Sequence, residues 1–245
     1  MTLVLVHGVP ETPAVWDGLR AVLDRPDIET LQLPGFGTAR PAGFSATKEA
    51  YVDWLIEQLE TYDEPVDIVA HDWGGGLLVR VVSLRPDLVR AWVTDAAGLG
   101  HLDFVWHDFA KIWQTPEEGE QFWTDQIALP VEDRAGVFEL FGVPHDQALA
   151  LAGHIDETMA GCILDLYRSA TTIGAEWAPD FRDIPKPGLV LVPSEDAFLE
   201  SDFARGAAAN AGAGVADLEG LGHWWMLQDP AAVAPILSGF LADDA

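Results

Sequence analysis

The first feature of this sequence that could do chemistry is Val69-Ala70-His71-Asp72-Trp73-Gly74-Gly75-Gly76. A largely apolar strand-like run enters it and a helix-compatible run leaves it. Small residues at Ala70 and Gly74 flank one reactive side chain, Asp72. Strand and helix can therefore approach closely, and the tight turn lifts Asp72 above the sheet. This is the small-x-nucleophile-x-Gly layout of a nucleophile elbow. A bulky residue at Gly74 would collide with the strand. The same Asp72 could instead cap the helix that follows it.

Two further signals bear on that choice. Leu221-Gly222-His223-Trp224 places a histidine after the last strand-like run, and Val192-Pro193-Ser194-Glu195-Asp196 places carboxylates directly after the run before it. Nucleophile, acid and histidine then follow one another in the chain order of hydrolases with a nucleophile elbow, each at the end of a strand. Asp196 is the preferred acid, Glu195 is its neighbouring fallback, and Asp95 ends the fourth run.

The elements that must position these groups are legible as apolar runs. Leu3–Val6, Ile28–Leu33, Val66–Ala70, Ala91–Thr94, Leu189–Val192 and Val215–Leu218 read as buried strands, because parallel strands covered on both faces are continuously apolar. Helical stretches separate them. Lys48–Leu59 has apolar residues at helical spacing, and Gly75–Leu84 is stopped by Pro86. The alternation predicts an α/β fold with a doubly wound, mostly parallel sheet. It breaks once. Residues 100–182 hold no convincing strand and are rich in aromatic residues, so they read as a helical cap inserted between the fourth and fifth strands. Residues 1–99 and 183–245 would form the core. Ligands of open α/β sheets bind outside the carboxyl ends of the strands, where such a cap would cover them. Gly206–Gly214 reads as a helix end and turn, and Asp243–Ala245 as a frayed tail.

Composition excludes several classes. The 245 residues include 13 basic and 40 acidic side chains, a net charge of −27 that repels phosphate backbones and argues against nucleic-acid binding. Anionic ligands would need local arginine capture. Few lysines with abundant Asp, Glu, Ala and Gly fit a salt-adapted or high-GC source, the former requiring that stability depend on salt. No run approaches the ~18 apolar residues of a membrane span, and the apolar N-terminus is too short for a signal peptide, so a cytoplasmic protein is expected. Cys162, the single cysteine, sits in an apolar stretch and reads as a buried small hydrophobe. No metal-ligand spacing and no phosphate-binding glycine pattern appears, so no metal or other cofactor is expected.

With these residues in view, the chain resembles the epoxide hydrolase and haloalkane dehalogenase branch of the α/β-hydrolase superfamily, over nearly its whole length. His7-Gly8-Val9-Pro10 is similar to the branch's H-G-x-P oxyanion loop, and Trp16 falls where the family has Trp. Pro34-Gly35-Phe36-Gly37 resembles its G-x-G loop, with Gln32 where Asp is usual. H-D-W-G-G resembles the branch's own elbow and is the most specific match. The antiparallel strands usual before H-G-x-P are missing, which puts an eight-strand sheet in doubt. The resemblance implies that Asp72 attacks an sp³ carbon to form an alkyl-enzyme ester. His223 would activate water against that ester, Asp196 would orient the imidazole, and backbone N–H groups of Val9 and Trp73 would hold the oxyanion. A serine at the elbow would instead give an esterase.

The leaving group separates the two activities. An epoxide leaves as an alkoxide and needs a proton donor, for which a neutral tyrosine is suited. A halide needs only N–H donors. Val9 stands where dehalogenases with H-G-N-P have Asn, and Tyr167, in Leu164-Asp165-Leu166-Tyr167-Arg168, falls where epoxide hydrolases keep a cap tyrosine. Tyr167 could equally pack the cap on the core. A second donor is expected early in the cap, where Phe122 and Trp123 stand; His107, His145 and His154 are further candidates. Trp106, Trp123 and Trp224 are expected to line the pocket, although aromatic stripes in caps are more often core. His7 and His71 read as structural, and Arg80 lies too far along its helix to clamp a substrate. The leading expectation is a cofactor-independent epoxide hydrolase acting on a small apolar substrate, as a monomer or homodimer. The alternatives are a haloalkane dehalogenase and a catalytically silent binding protein of the same fold.

Overall fold

The computed structural model describes residues 2–243. Six strands form one sheet: β1 (Leu3–Val6), β2 (Ile28–Leu31), β3 (Val66–Ala70), β4 (Val89–Thr94), β5 (Gly188–Pro193) and β6 (Gly214–Leu218). Their order is β2-β1-β3-β4-β5-β6, and every neighbouring pair is parallel. The sheet is thus wholly parallel among the described residues, where a mostly parallel one was expected. The inner strands β1, β3, β4 and β5 are buried almost throughout, which is why they read as unbroken apolar runs. The edge strands β2 and β6 keep exposed positions. β2 stops at Leu31, two residues earlier than its apolar run.

Helices flank the sheet. In the core they are α1 (Asp17–Val22), α2 (Lys48–Leu59), α3 (Asp72–Leu84), α10 (Ser201–Ala211), α11 (Trp225–Gln228) and α12 (Pro230–Asp243). α1 packs with α12, and α2 packs with α3. Local chemistry sets their ends. Thr47 caps α2 through the Ala50 N–H, and α10 ends at Gly212 in the left-handed conformation (φ 76°), which costs glycine nothing. Of the tail read as frayed, Asp243 closes α12 and Asp244 and Ala245 lie outside the described residues. Cys162 is buried as expected.

Between β4 and β5 the chain forms six α-helices: α4 (Asp108–Gln114), α5 (Glu118–Ala128), α6 (Val131–Leu140), α7 (His145–Gly153), α8 (Glu157–Ser169) and α9 (Ile173–Trp177). Three cations of the core meet acids of this segment: Arg40 with Asp165 at 2.7 Å, Lys48 with Glu176 at 3.0 Å, and Arg80 with Asp180 at 2.6 Å. Arg80 thus has a partner remote from the elbow.

The packing of α3 on the sheet depends on Gly74. A Cβ there would stand 2.5 Å from the His7 carbonyl oxygen and 2.7 Å from that of Val6, both backbone atoms that cannot step aside. Gly74→Ala is expected to cost about 1–3 kcal/mol of stability by overpacking. A urea-unfolding midpoint equal to the wild type's would refute this account of the turn.

Candidate active site

Asp72 is the first helical residue after β3, and its backbone is held at φ 48°. That left-handed conformation is unfavourable for a non-glycine residue and persists only where surrounding structure imposes it. The N-cap position belongs to His71. The Asp72 carboxylate does not cap its own helix; its Oδ1 accepts the Val9 N–H at 2.8 Å, across the interface with the loop after β1. Gly8 makes this approach possible, since a Cβ there would lie 2.4 Å from the Asp72 Cβ. The Trp73 backbone N–H stands in the first turn of α3, where no intrahelical carbonyl can satisfy it.

His223, on the loop after β6, faces Asp72 with Nε2 3.7 Å from Oδ2. Its Nδ1 donates to Asp196 Oδ2 at 2.9 Å. Asp196 Oδ1 accepts two backbone N–H groups, from Phe198 and Leu199. Burial works against the charge on Asp196, but the His223 charge and these donors hold its carboxyl below the ordinary range. Burial likewise opposes an imidazolium at His223, yet Asp196 outweighs it and raises the pKa above 6.5. Burial raises the pKa of Asp72, and the charges of His223 and His71 partly offset it.

Of the alternative acids, Asp95 does not reach His223. Its Oδ2 pairs with His71 Nδ1 at 2.5 Å and accepts the Trp225 indole N–H at 2.7 Å, while its Oδ1 accepts the Asp72 N–H. Glu195 is exposed. His71 has a larger part than the structural one read from its position. Glu11 Oε1 lies 3.1 Å from its Nε2, so both ring nitrogens face carboxylates and both must carry protons. Burial opposes that charge, but Asp95 and Glu11 raise the His71 pKa well above 6.5. The result is a buried imidazolium whose ring lies 4.6 Å from that of His223. Glu11 also accepts the Gly8 N–H and the Trp224 indole N–H. Sequence reasoning passed over Glu11; its only signal was its position immediately after His7-Gly8-Val9-Pro10. His7 is structural as expected, donating from Nδ1 to the Gly8 carbonyl and accepting the Leu33 N–H at Nε2, with burial pulling its pKa down to about 4.

Glu11, His71 and His223 offer ligand atoms within 4.8 Å of one another, a spacing that could suit a metal. The donor set does not, because His71 has no lone pair to give while it bridges two carboxylates.

Above Asp72 opens a cleft lined mainly by apolar and aromatic side chains of the core and of the helices between β4 and β5. Val9, Tyr167, Trp123 and Trp224 line it. Trp106 does not. It stacks on Trp73 with ring centroids 5.6 Å apart, behind the cleft wall, and donates its indole N–H to the Ala170 carbonyl. The Trp73 indole is also packed behind the lining, edge-on to Tyr167 at 5.3 Å, and its N–H is buried without a hydrogen bond. Tyr167 is buried, and desolvation, reinforced by the charge of Asp72, raises its pKa well above 10. Of the three candidate histidines, only His107 lines the cleft. His145 is exposed and paired with Glu139, and His154 is exposed. His107 accepts the Ala110 N–H at Nδ1, which leaves the proton on Nε2, and burial lowers its pKa to about 4.

The comparisons agree with this architecture. A model of the alpha/beta hydrolase family matches residues 3–236, and the chain belongs to that family. A curated relative, (E)-2-((N-methylformamido)methylene)succinate hydrolase from Acinetobacter baylyi, is 33% identical over 159 residues, 51% of this chain and 57% of its own length. The chain thus spans little more than half of that relative. Among solved structures, a candidate epoxide hydrolase from Pseudomonas aeruginosa superposes with a TM-score of 0.79 at 21% identity, covering 99% of this chain and 89% of that one. A loop variant of haloalkane dehalogenase DbeA from Bradyrhizobium elkanii superposes with a TM-score of 0.74 at 20% identity, covering 99% and 89%. These likenesses show the fold.

A neutral His223 is needed to take a proton from water. Any hydrolysis it assists should therefore rise with pH through an inflection above 6.5. Asp196→Asn removes the main influence that raises this pKa. The inflection should fall, and the rate should drop by about 10⁴-fold, as when a triad carboxylate is neutralised. A pH–kcat profile unchanged by the substitution would contradict the pairing.

Proposed function

We propose that this hydrolase opens epoxides to vicinal diols through a covalent ester on Asp72, with the helices between β4 and β5 acting as a cap. The observation that carries the reading is the pair of neutral proton-bearing groups, Tyr167 and His107, in the same cleft as a carboxylate nucleophile. Asp72 Oδ1 is held by Val9, which leaves Oδ2 to attack the less hindered epoxide carbon. The C–O bond breaks, and Tyr167 gives its proton to the departing oxygen while His107 Nε2–H donates a hydrogen bond to it. His223 then takes a proton from water, and the hydroxide adds to the Asp72 carbonyl carbon. The oxyanion forms on Oδ1, where the Val9 and Trp73 N–H groups stand ready. Collapse releases the diol, and the proton left over returns to Tyr167. The sum is epoxide plus water to diol.

A specific observation favours a second reading. The indole N–H groups of Trp113 and Trp123 are buried without partners in the residues lining the cleft, and that of Trp73 is likewise unpaired. Indole donors of this kind suit a halide, so haloalkane dehalogenation is the alternative.

One experiment distinguishes them. His223→Gln should stall at the ester, and mass spectrometry after incubation with terminal epoxides should find an Asp72 adduct of the whole epoxide mass. An alkyl adduct from haloalkanes with halide release would favour the second reading, and no adduct from either panel would favour a binding protein. Tyr167→Phe should cut epoxide opening by about 10²–10⁴-fold, the range of general-acid catalysis. An unchanged rate would remove Tyr167 from this role.

A further inference from the structure

Arg134, on α6, lines the cleft and has no carboxylate within ion-pair distance among the described residues. In this chain that is anomalous. Acids outnumber bases 40 to 13, and ten of the thirteen basic residues are paired with a carboxylate. Of the other two basic residues without an ion pair among the described residues, Arg182 is exposed and Lys186 is half-buried just before β5, and neither lines the cleft. Arg134 is half-buried in the cleft wall itself. Its Nη1 donates to the Ile155 carbonyl at 3.0 Å, which fixes the guanidinium, while its Nε is buried with no partner.

Its neighbours in the cleft wall include Val137, Phe138 and Ile155, and Gln126 adds another polar group to the lining. Removing a guanidinium from water beside such side chains costs free energy unless an anion compensates it. The same poor solvation strengthens whatever anion does arrive. A planar guanidinium is matched to a carboxylate.

We propose that Arg134 binds a carboxylate at the end of the substrate remote from the reacting carbon, so that the substrate is an amphiphilic acid with an apolar middle. Arg134 enters the cleft from the helical segment and Asp72 from the sheet edge, so the two charged groups approach from different layers. The Asp72 carboxylate repels the acid from the reactive end while Arg134 draws it to the other, which fixes the direction in which a chain-like molecule lies. An apolar chain between them meets the aromatic walls.

This inference rests on the covalent hydrolase reading for its substrate but not for its binding step, and the test separates the two. Binding of hexanoate, octanoate and decanoate is compared with that of the corresponding alcohols, followed by quenching of the cleft tryptophans. Turnover of terminal epoxides bearing a distal carboxylate is compared with that of their methyl esters. At the favoured chain length the acid should bind at least tenfold more tightly than the alcohol. Arg134→Met, which keeps an apolar stem, should abolish that preference by weakening acid binding and acid turnover tenfold or more, a far larger loss than for the alcohol or the ester. Arg134→Lys should restore part of the preference. Equal affinity for acid and alcohol at every length would overturn the proposal, even if epoxides turn over. So would a loss in Arg134→Met that is equal for acids and neutral ligands, since that is the signature of a structural strut to Ile155. An acid preference without turnover of any epoxide would overturn the epoxide reading alone.

Discussion

The structure is organised around a buried charge that must remain a charge. Asp72 lies under an apolar cleft, where burial pushes its carboxyl toward the neutral form, and the role proposed for it needs the charged one. Three further carboxylates, Glu11, Asp95 and Asp196, crowd the same region. Such a cluster is tolerable only with cations in it, and the two available are His71 and His223. His71 bridges Glu11 and Asp95 and remains protonated because of them. Its charge then helps to keep Asp72 ionised. His223 is different: Asp196 holds it, and its other nitrogen is free to face Asp72. One histidine is locked in its charged state, and the other can change state.

The backbone follows from the same need. Asp72 receives an N–H from the loop after β1, which demands a glycine at position 8 and a close approach of α3 to β1, hence Gly74. The left-handed backbone at Asp72 is the geometric result. Asp95, at the end of β4, binds both the His71 ring and the Asp72 N–H, so the charge network also braces the strained turn. Four loops at the carboxyl ends of β1, β3, β4 and β5 thus converge on one point, joined by a fifth after β6. A parallel sheet brings all of these ends to one edge.

Much of this was legible in the sequence because it is local. A strand running into glycines, and carboxylates and a histidine following later strands, are short-range patterns whose geometry the sheet supplies. What escaped are contacts between segments far apart in the chain. Glu11 bonding to His71 and Trp224 spans 60 and 213 positions, and nothing in either neighbourhood marks it. The helical segment was readable as helical but not as a packing. Trp106 and Trp123 have similar surroundings in sequence, yet one backs the cleft wall and the other forms it. Likewise His107, His145 and His154 could be ranked only once the helices were placed. Arg134 attracted no attention because an isolated arginine among acids reads as a solvated pair.

The nucleophile proposed above accounts for a distance that would otherwise look like a defect. A serine must surrender its proton to the histidine, so the two need a hydrogen bond before reaction begins. A carboxylate is already ionised and needs no such help. At 3.7 Å, His223 is too far to hold Asp72 by a good hydrogen bond, and it need not. In the proposed reaction the separation leaves His223 for the later step, when Asp72 has become a neutral ester. The negative charge that helped raise the His223 pKa is then gone, and the imidazole becomes less inclined to hold a proton just when it must pass one on after accepting it from water. In that scheme the bond formed at Asp72, which consumes the nucleophile, also prepares the base.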